Sequence, residues 1–203
     1  MLRLKPPLIG LMLGCFLIGF AATAGAQNTA GDEWKRYELG KGNFSVLLPE
    51  QPKEQFTPSP ADAAVPIDIY SYAVVLKEGS YVAQYCLLGE VALNWAEATI
   101  DSFYDGVWQG AADGFDREMA GANLSFRAKV VDTREITFSG HKGREVIFTI
   151  GPLNGRMRIT LVGRQAFGAS VLGTDNLSIA DRQRFMDSFV VTPKPIPVVI
   201  KAA

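Results

Sequence analysis

Apolar and polar residues alternate most regularly in the second half of the chain. In Arg156-Met157-Arg158-Ile159-Thr160-Leu161 every second residue is apolar, which is typical of a strand with one face on a core. Strand-like runs at 127–138 and 143–150 precede this segment, and Ser139-Gly140-His141-Lys142 is the turn between them. A fourth strand follows a turn at 163–165. The pattern predicts a four-stranded β-meander.

The turns of the meander determine its register. Asn154-Gly155 is a strong signal for a tight hairpin turn, and a three-residue turn at 163–165 directs Phe167 to the core. A two-residue turn there would direct Phe167 outward, because a slip of one residue moves every side chain to the other face of the sheet. The predicted pairs are Ile150–Ile159, Phe148–Leu161, Leu161–Phe167 and Ile159–Ala169.

The first half of the chain predicts one strand, one loop and one hairpin. Residues 43–48 form a strand that Pro49 ends, and the four prolines of segment 50–66 indicate a loop. Residues 67–76 and 81–88 are rich in Val, Ile and Tyr, with Lys77-Glu78-Gly79-Ser80 as their turn.

Two helices are predicted from apolar spacing. Asn94 followed by Glu97 resembles a capping box at the start of the first helix, and Ser178 with Asp181 caps a short helix at 178–187 that Phe185 and Phe189 pack down. The apolar stripe of the first helix consists of Ile100, Phe103, Tyr104, Val107, Trp108, Ala111 and Phe115. Its solvent face carries Glu97, Asp101, Asp105 and Gln109.

The order of these elements predicts the fold class. A strand, a hairpin, a helix, four meandering strands and a second helix indicate an α+β domain with an antiparallel sheet of about seven strands and helices packed on it. This single domain spans residues 43–192. A lead-in segment at 27–42 precedes it, with Trp34 and Tyr37 as anchors, and a Pro-rich tail at 193–203 follows it.

The first 26 residues read as a secretory signal peptide. Arg3 and Lys5 come first, residues 8–20 are apolar, and Ala24-Gly25-Ala26 is a small-x-small cleavage site. Two alternatives remain: a poor lipoprotein box that ends at Cys15, which we do not expect to be used, and an uncleaved anchor. We expect export to the periplasm or beyond the cell, with no stable membrane span after cleavage.

Composition excludes some functions. The chain has 203 residues and a net charge of −1. Without Arg3 and Lys5, 18 basic residues face 21 acidic ones, about −3, so the balance gives no reason to expect nucleic acid as a partner. Cys86 is then the single cysteine of the mature chain and has no disulfide partner within it. Its apolar strand predicts a buried, inert thiol.

The element order and several short signatures resemble a known fold family. The chain is similar to bacterial exported proteins of unknown function that share the Mog1/PsbP-like α/β/α sandwich. Better-known members of this fold are binding or accessory subunits, so the resemblance implies a fold and no catalytic residue. The signatures are Phe44-x-Val46-x-Leu48-Pro49, Gly140-x-x-Gly143-Arg144-Glu145, Arg158-x-x-Leu161 and Arg184-Phe185-Met186-Asp187-Ser188-Phe189.

No motif in the sequence commits it to a reaction or a cofactor. His141, the single histidine, lies in a predicted turn, and zinc normally needs three or four protein ligands. Asp101 and Asp105 lie one helical turn apart and could bind a hard cation, although a polar helix face explains them equally. Gly106, Gly110 and Gly114 share the spacing of the first helix and indicate close internal packing, a subunit contact or a fraying helix.

Four arginines are the candidate partner surface. Arg156 and Arg158 share one face of their strand by alternation, and Arg144 and Arg164 lie near the ends of the meander, so the four could gather against an anionic partner. Alternatively, they are solvated and pair with acids such as Glu145.

We therefore expect a non-enzymatic exported module that binds another envelope protein or component, without a cofactor or metal. Two alternatives are a carrier for an apolar ligand between the sheet and the helix of Trp108 and Phe115, and an enzyme whose site comes from distant residues. The sequence leaves the oligomeric state open.

Overall fold

The computed structural model describes residues 33–59, 66–121 and 123–196. The predicted signal peptide, its cleavage site and Cys15 lie outside these residues. So do residues 27–32 of the predicted lead-in and 197–203 of the predicted tail.

Strands dominate the described part of the chain. Two short 3-10 turns, at Gly40–Gly42 and Glu90–Asn94, accompany the regular elements. The strands are β1 (Lys35–Leu39), β2 (Phe44–Leu48), β3 (Lys53–Thr57), β4 (Ile67–Val75), β5 (Gly79–Leu88), β6 (Ala128–Phe138), β7 (His141–Ile150), β8 (Leu153–Val162), β9 (Gln165–Gly173) and β10 (Val190–Val191). The helices are α1 (Glu97–Gly121) and α2 (Ile179–Ser188).

Seven strands form one antiparallel sheet in the order β3-β4-β5-β9-β8-β7-β6. The predicted α+β class and seven-stranded antiparallel sheet are confirmed. The seventh strand, however, is not the predicted one. Segment 43–48 forms β2, which pairs with β1 and β10 in a separate three-stranded sheet, and β3 takes the edge of the large sheet.

The central strands of the large sheet are buried on both faces, by two separate sets of side chains. Helix α1 covers one face through its predicted apolar stripe, where Phe103, Val107 and Phe115 are fully buried. Helix α2 and the small sheet cover the other face, where Phe44, Phe185 and other side chains pack. We call these the first core and the second core.

Segment 50–66 is not the continuous loop that its prolines predicted. Residues 53–57 form β3, which pairs with β4 from Lys53↔Ala73 to Thr57↔Ile69. Pro52 and Pro58 flank the strand and do not interrupt it. Proline is tolerated beside an edge strand because only one side of that strand donates to a neighbour. Four of the five residues are exposed, so no apolar pattern marks the strand.

The register predicted for the β7–β8 hairpin is wrong. The chain turns at Gly151-Pro152, so Ile150 pairs with Leu153 and Phe148 pairs with Gly155. Gly155 has a different use from the predicted turn. A Cβ atom at this position would lie 2.3 Å from Cζ of Phe148, so the missing side chain leaves room for the buried ring. Met157 and Ile159 still face the first core, as predicted.

The connection between β8 and β9 also differs from the prediction. A two-residue turn at Gly163-Arg164 pairs Val162 with Gln165, and Phe167 pairs with Thr160. Phe167 therefore points away from the first core. It is nevertheless fully buried, because it enters the second core on the other face of the sheet.

The β6–β7 turn is shorter than predicted. Only Ser139 and Gly140 form it, with φ of 50° and 78°, and such positive values suit a two-residue hairpin turn. His141 is consequently the first residue of β7, paired with Phe138. It is half-buried and not a solvated turn residue.

Helix α1 begins later than its predicted cap. Asn94 ends a 3-10 turn and Trp95 is extended, with φ −70° and ψ 129°, so Asn94 does not cap the helix. The Trp95 ring instead packs 5.5 Å from the Phe103 ring, centroid to centroid. The helix then runs unbroken to Gly121, which excludes fraying near the buried Gly110. At α2, the predicted cap is confirmed, because Ser178 Oγ accepts from the Asp181 amide at 3.3 Å.

Both ends of the described chain are tied to the rest of the fold. Trp34 packs edge-on to Tyr81 at 5.3 Å, and Tyr37 packs against the same core. Beyond β10, the Lys194 amide donates to Asn43 Oδ1 at 2.7 Å. Among the described residues, no helix combines the length and the hydropathy needed to cross a bilayer.

Gly155→Ala tests the observed register. The added methyl group meets the buried Phe148 ring, so we expect a loss of about 1–3 kcal/mol in the free energy of unfolding. Gly121→Ala is the control, because a Cβ there meets nothing within 4 Å. Urea denaturation measures both variants. Equal stability of Gly155→Ala and the wild type would contradict the packing of Phe148 over Gly155.

Candidate functional site

A small cleft opens between α2 and the sheet at strands β7, β8 and β9. Its volume is about 150 Å³. Two arginines, two amide side chains and three branched aliphatic side chains surround it, together with one glycine. The lining residues are Ile147, Asn154, Gly155, Arg156, Val171, Ile179, Arg182 and Gln183. We call it the α2–β8 cleft.

The four arginines predicted as a partner surface do not form one surface. Arg156 and Arg158 do share one face of β8, as their alternation predicted, and both reach towards α2. Arg164 lies in the β8–β9 turn, where its Nε donates to the carbonyl of Leu88 at 2.9 Å and its Nη1 lies 3.6 Å from Glu90.

Arg144 lies on the opposite face of the sheet, against α1. Its guanidinium contacts Asp105 and donates to Asp101 Oδ1 at 3.1 Å, and it lies 5.3 Å from the centre of the Tyr104 ring. The two aspartates predicted as a polar helix face or a cation site therefore pair with an arginine. The described ranges contain no cluster of three or more His, Cys, Asp or Glu side chains suited to a metal.

Glu145, on β7, is the centre of the arginine arrangement. Its side chain is 0% exposed. Arg134 of β6 donates to Oε1 from Nε at 2.9 Å and also from Nη2. Arg158 donates to Oε2 from Nε at 2.6 Å, and Nε of Arg156 lies 3.9 Å from the same oxygen. A buried carboxylate needs such partners, because an unpaired charge out of water is costly.

The electrostatics of Glu145 result from two opposed effects. Burial raises the pKa of its carboxyl group, but hydrogen bonds from Arg158 and Arg134 and the charges of Arg158 and Arg156 outweigh burial and lower the pKa below 4.5. The same hydrogen bond raises the pKa of Arg134. Glu145 is therefore ionised at neutral pH, and its single charge is shared among three guanidinium groups.

Arg158 joins this cluster to the end of α2. Its Nη1 donates to the carbonyl of Met186 at 2.9 Å and to Asp187 Oδ1 at 3.4 Å. A cation is favourable at a helix C-terminus because the last carbonyls have no partner within the helix. This contact fixes the position of α2 over β8 and so one side of the cleft.

Arg182, on α2, borders the cleft and donates its hydrogen bonds to backbone carbonyls, while the charge of Asp175 acts on it from more than 4.0 Å away. Its Nε, Nη1 and Nη2 atoms donate to the carbonyls of Leu177, Asn154 and Thr174 at 3.2, 2.7 and 2.5 Å. In the described part of the chain, no carboxylate lies within 4.0 Å of this guanidinium. Burial lowers the pKa of Arg182, although the group remains a cation at neutral pH.

The side chains that line the cleft are suited to binding an anion. The charged side chains that line the cleft are Arg156 and Arg182, and no acidic, histidine, serine or cysteine side chain belongs to the lining. Guanidinium groups bind carboxylates and phosphates with paired hydrogen bonds and do not exchange protons near pH 7. The lining therefore offers hydrogen-bond donors and positive charge to an anion.

Other predicted features are structural. Cys86 is buried in β5, as predicted. The predicted apolar-ligand space near Trp108 and Phe115 is occupied by rings, since Trp108 and Phe115 lie 5.0 and 5.9 Å from the Phe148 ring centre. Gly110 is buried in α1, and Gly106 and Gly114 are half-buried.

Three residues of the site had no sequence signal of their own. Glu145 appeared only as a nearby acid for solvated arginines, and neither Arg134 nor Arg182 was a candidate. The alternation of β6, β7 and β8 could have shown that Arg134, Glu145 and Arg158 share a face, but only with the β7–β8 turn at Gly151-Pro152. With the predicted turn at Asn154-Gly155, Glu145 and Arg158 would not be paired across the hairpin.

Comparison with known proteins gives similarities of fold. No family model matches the sequence, and no curated protein matches it. A solution structure of cyanobacterial PsbP from Synechocystis is 10% identical, with a TM-score of 0.46, over 83% of this chain and 98% of that one. A crystal structure of a Pseudomonas aeruginosa protein of unknown function is 13% identical, with a TM-score of 0.34, over 81% and 99%.

These two structures are of the kinds that the sequence resemblance names, a PsbP protein and a bacterial protein of unknown function. A crystal structure from Bacteroides thetaiotaomicron is 9% identical, with a TM-score of 0.30, over 77% of this chain and 48% of that one. Every TM-score is below 0.5, so we transfer no binding or activity from these proteins to this chain.

Glu145→Gln removes the shared charge while it keeps the shape of the side chain. Arg134, Arg156 and Arg158 then repel one another without a carboxylate, so we expect a loss of about 3 kcal/mol in unfolding free energy. Glu90→Gln is the control. Glu90 is exposed and its pair with Arg164 is loose, so it should cost less than about 0.5 kcal/mol. Similar denaturation midpoints for the two variants would contradict the role of Glu145.

Acid should remove this contribution. Because the pKa of Glu145 is lower in the folded chain than its usual 4.5, the unfolded chain binds the proton more readily. The stabilisation is therefore fully present above about pH 4.5 and is lost as the pH falls through the lowered pKa. We expect the difference in melting temperature between wild type and Glu145→Gln to be constant above pH 5 or so and to shrink in more acid solution. A difference that grows on acidification would refute the lowered pKa.

Proposed function

We propose that this protein is an exported, non-enzymatic binding module that attaches to another protein of the cell envelope through the α2–β8 cleft. The observation that carries the proposal is the lining of this cleft, where two guanidinium groups and two amide groups surround aliphatic side chains. Such groups recognise a partner without transforming it.

The cleft also has the accessibility that a protein partner needs. Ile179 stands at its edge and is 84% exposed, the highest value among the large apolar side chains of the described residues. Single exposed apolar residues are common, but one beside two arginines provides both an apolar contact and charge. Export is supported by the N-terminal signal pattern of Arg3, Lys5 and the Ala24-Gly25-Ala26 site.

The apolar-carrier alternative has less support. Carrier sites commonly have volumes of about 300–1,000 Å³, and the α2–β8 cleft has about 150 Å³. The space beside Trp108 and Phe115, where the sequence suggested such a ligand, holds packed rings.

Site-specific photocrosslinking tests the proposal in intact cells. A benzoylphenylalanine residue at Ile179 should give one reproducible adduct with an envelope protein, because Ile179 borders the cleft. The matched control places the same residue at Leu93, which is 61% exposed and belongs to the 3-10 turn before α1. The adduct should be absent at Leu93. No reproducible adduct from Ile179, or equal adducts from both positions, would contradict the proposal.

A further inference from the structure

The guanidinium groups at the α2–β8 cleft keep hydrogen-bond donors for a ligand. Arg156 donates from Nη1 to Gln183 Oε1 at 3.1 Å, and no hydrogen bond within the described ranges uses its Nη2. Arg182 donates once each from Nη1 and Nη2, and every such nitrogen carries two hydrogens. Two planar groups with spare donors thus border the same cleft.

Their charge is also incompletely compensated. The carboxylate nearest to Arg156 is Glu145 at 3.9 Å, which already accepts hydrogen bonds from Arg134 and Arg158. The three acceptors of Arg182 are carbonyl oxygens, which carry no net charge, and the acid whose charge acts on it, Asp175, lies beyond 4.0 Å and accepts a hydrogen bond from Asn154. An anion in the cleft would supply the missing charge and use the spare donors, and charge-assisted hydrogen bonds of this kind are about twice as strong as neutral ones.

The aliphatic side chains of the cleft indicate which chemical group the ligand carries beside its anion. Ile147, Val171 and Ile179 present aliphatic surface beside the guanidinium groups. A bare inorganic anion would leave this surface in contact with water. A ligand that carries a carboxylate next to an apolar group would cover it, and burial of apolar area is favourable by about 25 cal/mol per Å².

The cleft is large enough for side chains of a partner but not for a whole cofactor. A volume of about 150 Å³ is below the usual range of cofactor and drug pockets, so it admits a fragment of a larger partner. A membrane phosphate is a weaker fit, because the chain has a net charge of −1 and anionic lipid surfaces attract clusters of basic residues.

We propose that the α2–β8 cleft binds an acidic peptide segment of the partner, with a glutamate or aspartate carboxylate between Arg156 and Arg182 and an apolar neighbour against Ile147, Val171 and Ile179. This inference rests on the proposed function and names the chemistry that the partner presents. Arg158, held between Glu145 and the end of α2, positions the helix and does not contact the ligand.

Fragment binding to the full chain tests this inference by nuclear magnetic resonance. The probe is N-acetyl-glutamyl-leucine amide, and the Nε–H signals of Arg156 and Arg182 are followed during titration. We expect saturable shifts with a dissociation constant on the order of 1 mM, as suits one small contact. The glutaminyl analogue and inorganic phosphate should each bind at least about tenfold more weakly, since the first lacks the charge and the second lacks the apolar group.

Matched variants assign the site. Arg156→Gln should weaken binding at least about tenfold, and Arg164→Gln should leave it unchanged, because Arg164 lies in the β8–β9 turn away from the cleft. Arg156→Lys retains the charge and loses the planar fork, so it should weaken binding several-fold in a folded chain even if Arg156→Gln unfolds.

Each other outcome overturns either this inference or the proposed function. Equal binding of phosphate would indicate a general anion site, and unchanged arginine signals would indicate no site. If the Ile179 crosslink persists while the peptide fragment does not bind, this inference fails and the proposed function stands. If the fragment binds and no crosslink forms, the cleft recognises carboxylates but the proposed envelope partner is not its occupant.

Discussion

Burial of the large sheet on both faces is the constraint on which the rest of the structure depends. Strand β9 has nine buried residues in succession, and nine of the ten residues of β5 are buried. Residues at odd and at even positions of these strands point to opposite faces, so both sets must fit into an interior. Phe167 and Ala166 are neighbours in sequence, yet they enter the second core and the first core respectively. Without α2 and the small sheet, Phe167 and Tyr81 would face water.

The candidate site lies where this two-sided coverage ends. Helix α2 and the small sheet cover the second face from β4 to β8, whereas β6 at the edge is exposed along most of its length. Glu145 lies just inside this boundary and is the deepest acidic group there, so its partners come from both sides, Arg134 from the exposed edge and Arg158 from under α2. The cluster holds α2 at a fixed position and leaves Arg156 and Arg182 at the mouth of the cleft.

Local patterns predicted the elements whose stability is local. The apolar stripe of α1 repeats at helical spacing, and Ser178 caps α2 through a residue three positions away. A short stretch of sequence therefore contains the whole signal for each helix. The hairpin of β4 and β5 was found for the same reason. Edge strand β3 was missed because its five residues are mostly polar and exposed, and only pairing with β4 makes it a strand.

The errors in register came from tertiary packing. Gly155 fits a tight turn as well as it fits the space beneath Phe148, and its neighbours in sequence do not distinguish the two. The position predicted for Phe167 is wrong because the sheet has a second covered face, which alternation of apolar and polar residues does not reveal. The Glu145 cluster and the pairing of Arg144 with Asp101 join residues far apart along the chain, at separations of 11 to 43 residues, so strand order had to be known first.

The side-chain direction of Phe167 tests two-sided burial most directly. In a carbon-edited nuclear Overhauser spectrum, the Phe167 ring protons should give cross-peaks to Tyr85 and Phe44, whose ring centres lie 5.5 and 6.4 Å away. Cross-peaks from Phe167 to Phe103 or Phe115 of α1 instead would place this side chain in the first core and contradict the account.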